Sequence, residues 1–88
     1  MKKIFIASDH GGFNLKMNIL KYFNKNYPIK DLGPKQNKKS VDYPDFAHKV
    51  CKQVAKNKNH IGILVCGSGV GMSIAANKNK GIRAALCY

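Results

Sequence analysis

The chain has few acidic side chains: 4 aspartates and no glutamate stand against 16 lysines and arginines in 88 residues, which gives a formal charge of +12. A balance this basic raises the question of nucleic acid. However, Arg83 is the single arginine, whereas bidentate recognition of phosphates and bases favours arginine. Aromatic residues also do not alternate with the lysines as a base-stacking surface requires. The composition therefore predicts a solvated lysine-rich surface that attracts anionic small molecules, without a specific nucleic-acid partner.

Long apolar runs and paired cysteines are lacking as well. No segment reaches the about 20 apolar residues that span a bilayer. The apolar start is interrupted at Asp9 and His10, too early for a secretory signal. We therefore expect a cytoplasmic protein without a membrane partner. The 3 cysteines show no CxxC spacing, which disfavours both a disulfide framework and a zinc site.

Apolar runs and amphipathic stretches alternate along the chain, without repeats or a long linker. The alternation predicts one α/β domain over residues 1–88, with a four-stranded parallel sheet in a three-layer α/β/α fold. In the first helix, Leu15, Ile19 and Phe23 form the predicted buried stripe, and Lys16 lies off it. The predicted elements are strand 2–8, helix 13–23, strand 28–32, a helix from Tyr43 and Pro44, strand 61–65, a helix ending near Lys80, and strand 82–88.

Two motifs follow strands at the edge where open parallel sheets bind ligands. Asp9 and His10 follow the first strand, and Cys66 and Gly67 follow the third. If these strands are neighbours, the two motifs form one crevice. The first turn of the helix after Gly67 has unpaired N–H groups, which stabilise both an anion and a thiolate held there. Packing alternatives remain: Cys66 as a small apolar strand residue, the glycines as a tight turn, and Asp9 as a helix cap.

Four segments together resemble ribose-5-phosphate isomerase type B, a family that includes galactose-6-phosphate isomerase subunits. The resemblance runs in order over the whole chain, and its third segment is the most specific. The matching segments are 8–16 (SDHGGFNLK), 42–44 (DYP), 66–78 (CGSGVGMSIAANK) and 81–84 (GIRA).

The resemblance implies a Rossmann-like fold and an aldose–ketose isomerase of the pentose phosphate pathway. This enzyme interconverts ribose 5-phosphate and ribulose 5-phosphate through an enediolate, without metal or other cofactor. The resemblance assigns Cys66 as the catalytic base and Ser68 as a residue whose hydroxyl assists near the sugar oxygens. The resemblance places the substrate contacts at Asp9, His10, Tyr43, Gly67, Ser68, Gly69, Val70 and Gly71.

Members of the family continue past the position that matches Tyr88. The continuation contains a general acid, phosphate-binding arginines, a fifth strand and the helices that build a dimer. The resemblance therefore implies a truncated domain that lacks the C-terminal part of the family fold. We expect low activity from the chain alone, and a homodimer or higher oligomer when it is completed. The alternatives are a galactose-6-phosphate isomerase subunit, a non-catalytic basic anion-binding fragment, and a structural fragment completed by another chain.

Overall fold

A computed structural model describes residues 3–35, 43–67 and 70–85. Strands and helices alternate through these residues, as the sequence predicts. None of the described helices combines the length and apolar character needed to cross a membrane. The elements are β1 (Lys3–Ser8), α1 (Phe13–Phe23), β2 (Ile29–Asp31), α2 (Tyr43–Val54), β3 (His60–Val65) and α3 (Val70–Asn77).

The three strands form one parallel sheet in the order β2-β1-β3. In the centre of the sheet, Ile6 pairs with Asp31 of β2 on one side and with Ile63 of β3 on the other. The chain runs outward from β1 to β2 and then returns past β1 to β3. The strand order therefore reverses between β1 and β3, and the predicted adjacency of the first and third strands is confirmed.

The predicted fourth strand is wrong over the residues that can be checked: 82–85 are not in a strand, and 86–88 lie outside the described residues. After α3 the chain turns at Gly81, whose φ of +81° favours glycine. The amide side chain of Asn77 then bonds both backbone groups of Ala84. Asn77 Oδ1 accepts from the Ala84 N–H at 2.8 Å, and Asn77 Nδ2 donates to the Ala84 carbonyl at 3.0 Å. A side chain thus occupies the groups that a sheet ladder would use.

The main core lies between the sheet and α2, where Phe5, Ala7 and Val50 pack together. On α1, the predicted burial pattern is wrong. Leu15, which the amphipathic pattern places inside, is 56 % exposed, whereas Lys16 is 0 % exposed. The reason is an ion pair: Lys16 Nζ lies 2.9 Å from Asp31 Oδ1 at the end of β2. A lysine stem is apolar enough to be buried when its charge has a partner.

Candidate functional site

The ends of β1 and β3 lie side by side. Ser8 and Val65 are paired in the last register position, and the pairing continues one residue further, because the Asp9 N–H donates to the Val65 carbonyl at 3.0 Å. The residues that leave the two strands, Asp9 and Cys66, therefore emerge at the same edge of the sheet. This edge is also the point where the strand order reverses, which is where α/β sheets hold ligands.

Gly11 and Gly12 allow the start of α1 to lie directly against the end of β3. A Cβ atom on Gly12 would lie 2.4 Å from the Val65 carbonyl oxygen and 2.9 Å from the Cys66 nitrogen. The φ of Gly12 is −93°, an ordinary value, so close approach and not backbone conformation requires glycine there. A Cβ on Gly11 would lie 3.4 Å from Gly67 Cα. The sequence pattern does not predict this contact, because it joins residues more than 50 positions apart.

Asp9 is partly buried and its side chain is oriented by the backbone that precedes α1. Its Oδ1 accepts from the Gly12 N–H at 2.7 Å. Asp9 thus supports the start of the helix, as the capping alternative proposed, although the N-cap residue itself is Gly12. An ionised carboxylate has several acceptor positions, so this bond leaves capacity for a ligand. His10, the next residue, is exposed at the same edge.

The third strand leads through Cys66 and Gly67 toward α3, which begins at Val70. Cys66 is half-buried and Gly67 is exposed. Gly71 lies in the first turn of α3, where backbone N–H groups have no partner within a helix. Ser68, Gly69 and the side chains of Tyr43 and Val70 lie outside the described residues.

Cys51 provides a contrast with Cys66. It is buried between α2 and α3, with its Sγ 3.7 Å from the Ala76 carbonyl oxygen. Burial raises the pKa of the Cys51 thiol. Cys51 is therefore a packing residue, and Cys87 lies outside the described residues. Within the described part of the chain, no group of three or more His, Cys, Asp or Glu side chains is arranged to hold a metal ion.

A broad apolar cleft follows β3 on the side away from β1 and reaches Cys66 and Gly67 at one end. Its lining is mostly aliphatic, so it offers contact area to an apolar group and few polar partners to a sugar. The chemistry-bearing groups lie at the carboxyl edge of the sheet instead. Besides Cys66 and Gly67, the cleft is lined by Leu15, Ile19, Val50, Cys51, Val54, Gly62, Ile63, Leu64, Val65, Met72, Ser73, Ala76, Ile82, Arg83, Ala84 and Ala85.

Comparison with known proteins agrees with the fold. The sequence profile of the family described as Ribose/Galactose Isomerase matches residues 4–88. The chain is 51 % identical over 85 residues to a protein of Mycoplasma genitalium named probable ribose-5-phosphate isomerase B, covering 94 % of this chain and 56 % of the relative.

Several solved structures are similar to this one, and two of them illustrate the likeness. The ribose-5-phosphate isomerase B of Clostridium thermocellum superimposes with a TM-score of 0.90 at 52 % identity, covering 97 % of this chain and 57 % of that chain. The Mycoplasma genitalium enzyme, solved with bound ribulose-5-phosphate, gives a TM-score of 0.88 at 49 % identity, covering 94 % and 56 %. The chain spans a little over half the length of the relatives it matches. It belongs to the ribose/galactose isomerase family.

Proposed function

We propose that this chain carries the base-containing half of an aldose–ketose isomerase site that acts on ribose 5-phosphate and ribulose 5-phosphate. The observation that supports this most strongly is the adjacency of two strand ends, one followed by Asp9 and His10 and the other by Cys66 and Gly67. The names of the relatives favour a ribose phosphate over a galactose phosphate.

The first step is removal of a carbon-bound proton. The Cys66 thiolate takes the proton from C2 of the open-chain aldose. The electrons of the C2–H bond form a C1–C2 double bond, and the carbonyl electrons move to O1. The product is an enediolate. Return of the proton from Cys66 to C1, together with transfer of the O2 proton to O1, gives the ketose, so no oxidant or reductant is needed.

The oxyanion that forms at O1 needs donors that are already in place. The N–H groups of Gly67 and of the first turn of α3, which includes Val70 and Gly71, supply such donors, because a helix N-terminus favours negative charge. The Ser68 hydroxyl and the Gly69 N–H belong to the same segment.

In this proposal, the residues that follow β1 bind the substrate. Asp9 accepts hydrogen bonds from sugar hydroxyls with the lone pairs that Gly12 leaves unused, and His10, which is exposed, contacts the phosphate. Tyr43 begins α2 and contributes its hydroxyl to the pocket. Metal ions and nucleic acid have no part in this proposal, and the assembled protein is a homo-oligomer.

Solvent deuterium exchange tests the base step separately from complete turnover. The chain is incubated with ribose 5-phosphate in D2O, and deuterium at C2 of the aldose and C1 of the ketose is followed by NMR. Because the enediolate exchanges protons through the base, we expect Cys66→Ala to lower incorporation by at least about 10²-fold. Cys51→Ala, which removes a thiol that faces α3 from within the core, is the matched control and retains incorporation within about twofold. Persistent incorporation in Cys66→Ala, with a preserved amide spectrum, would contradict the role of Cys66.

A further inference from the structure

Lys16 is a buried cation for which the isomerase chemistry has no direct use. Its ammonium group donates to both oxygens of the Asp31 carboxylate, at 2.9 and 3.0 Å, and to the Pro34 carbonyl. It also lies 5.0 Å from the centre of the Phe13 ring. These contacts come from α1, from the end of β2 and from the loop that follows β2. One side chain therefore joins three segments.

From Asp31 the hydrogen bonds lead to the end of β1. Asp31 Oδ1 accepts from the Gly33 N–H at 2.8 Å, which fixes the chain just after β2. The Gly33 carbonyl in turn accepts from the Ser8 N–H at 3.1 Å. Ser8 immediately precedes Asp9. The loop that Lys16 secures is thus bonded to the residue next to the proposed substrate-binding carboxylate.

A second route leads from Lys16 to the same carboxylate through the start of α1. The Lys16 N–H donates to the Gly12 carbonyl at 2.9 Å, and the Gly12 N–H donates to Asp9 Oδ1 at 2.7 Å. The two routes meet at Asp9 and close a ring of hydrogen bonds. The ring bonds the Asp9 side chain through Oδ1, and the Asp9 backbone N–H donates to the Val65 carbonyl.

We propose that Lys16 is a positioning residue that fixes the orientation of Asp9 for contact with the sugar phosphate. This inference rests on the proposed function, because it gives Asp9 a ligand. Packing alone does not require a cation here, since apolar side chains replace buried ion pairs at little cost in stability. An apolar side chain, however, cannot donate to Asp31 and Pro34 together. A compact ammonium group with three donors does so.

The first test compares Lys16→Met with Lys21→Met. Methionine preserves the length and apolar character of the stem but removes every donor, and Lys21 is an exposed lysine on the same helix. We expect Lys16→Met to accelerate hydrogen exchange at the Gly33, Ser8 and Gly12 amides by at least about tenfold relative to the amides of the β1–β3 ladder. The Asp9 side-chain carboxyl resonance should shift as well. Lys21→Met should change none of these.

Uniform acceleration of exchange at all amides in Lys16→Met would show a merely structural role and overturn the proposal. Lys16→Arg, which preserves charge and donors, should restore part of the protection. If Lys16→Met does not fold, Asp31→Asn replaces it. That variant removes the charge partner from the other end and should give the same local pattern.

Measurement of substrate affinity tests whether the ring of hydrogen bonds affects binding of ribose 5-phosphate. The dissociation constant for ribose 5-phosphate should rise about tenfold in Lys16→Met, and this rise should disappear when Asp9 is already replaced by Asn. If Lys16 affected binding by another route, the loss would persist in the Asp9→Asn background and the proposal would be wrong. A wild-type chain that does not bind ribose 5-phosphate would overturn the proposed function. The exchange pattern and the Asp9 resonance would then still decide whether Lys16 orients Asp9.

Discussion

The two sides of the central strand are held by different kinds of interaction. Beyond β2, the loop at Gly33 is joined to α1 and to the end of β1 through Lys16 and Asp31, by directed polar bonds around a fully buried cation. Beyond β3, the described residues leave an apolar cleft along the strand, and the exposed side chain of Leu15 is part of its lining. The region beyond β2 fixes angles and distances, whereas the cleft beyond β3 offers mainly apolar contact area.

This difference bears on where function is located. Hydrogen bonds and ion pairs specify orientation, whereas hydrophobic contact is non-directional. Asp9 lies at the end of the polar network, and Cys66 lies where the polar edge meets the apolar cleft. The carboxyl edge is therefore organised from the β2 side.

The largest effect is expected where the start of α1 contacts the end of β3. Gly12→Ala places a Cβ atom 2.4 Å from the Val65 carbonyl oxygen, so backbone must move apart. We expect a loss of about 3 kcal/mol or more in the free energy of unfolding, measured by urea denaturation. Gly67→Ala is the matched control, because its Cβ meets no described atom within 4 Å, and it should cost less than about 0.5 kcal/mol. Equal effects of the two substitutions would contradict the described contact.

Lys16 and Leu15, which are neighbours on α1, allow the polar network and the apolar cleft to be compared. Lys16→Ala removes the cation from Asp31, and we expect it to lower the free energy of unfolding by about 2–3 kcal/mol. The cost lies below that of a fully buried pair because the Asp31 side chain is 23 % exposed. Leu15→Ala removes a side chain that is 56 % exposed and should cost less than about 1 kcal/mol. The amphipathic pattern of the sequence predicts the opposite order, so urea denaturation of both variants distinguishes the two descriptions.

The thiols should differ in reactivity. Cys51 is buried, and burial raises the pKa of its thiol, so little thiolate forms near neutral pH. Cys66 is half-buried at the end of β3 and should be alkylated at least about tenfold faster in the folded protein. Mass spectrometry of iodoacetamide-treated chain, with peptide mapping at several times, measures both rates. Faster labelling of Cys51 would contradict the assignment of Cys66 as the accessible thiol.

The smallest expected effect is a gain in the free energy of unfolding. The Ser8 hydroxyl is buried at the end of β1 and has no hydrogen-bond partner among the described residues. Ser8→Ala removes that group while the backbone bond from Ser8 N–H to Gly33 remains. We expect the free energy of unfolding to rise by up to about 1 kcal/mol. A clear destabilisation in thermal unfolding would indicate that the hydroxyl has a partner outside the described residues.

Most of the fold could be predicted because the spacing of apolar residues and the positions of glycine and proline indicate the same strands and helices. The helix predicted over 13–23 agrees with α1, and the strand predicted over 61–65 agrees with β3 to within one residue. The alternation of strands and helices predicts a parallel sheet, because each helix connects two strands that run in the same direction. The strong preference for right-handed crossovers then limits the possible topologies. The switch point between β1 and β3 then brings the two motifs together.

The remaining features depend on contacts between distant residues, which a one-dimensional pattern does not contain. Lys16 is buried only because Asp31, 15 residues away, meets it. The strand predicted after Gly81 fails at Ala84, where the side chain of Asn77 takes both backbone groups. For the site, Asp9, His10, Cys66 and Gly67 lie at one edge of the sheet, as predicted. The roles of these residues stay predictions, as do those of Tyr43, Ser68, Gly69, Val70 and Gly71.

In the proposed function, the ends of β1 and β3 form one binding site for a sugar phosphate. Titration of the ¹⁵N-labelled chain with ribose 5-phosphate, followed by amide NMR, tests it most directly, with ribose and inorganic phosphate as controls. We predict that the Asp9, Gly12, Gly67 and Gly71 amides shift together with one dissociation constant, and that ribose 5-phosphate binds more tightly than either control. Shifts confined to exposed lysines across the surface, equal for ribose 5-phosphate and inorganic phosphate, would contradict the claim.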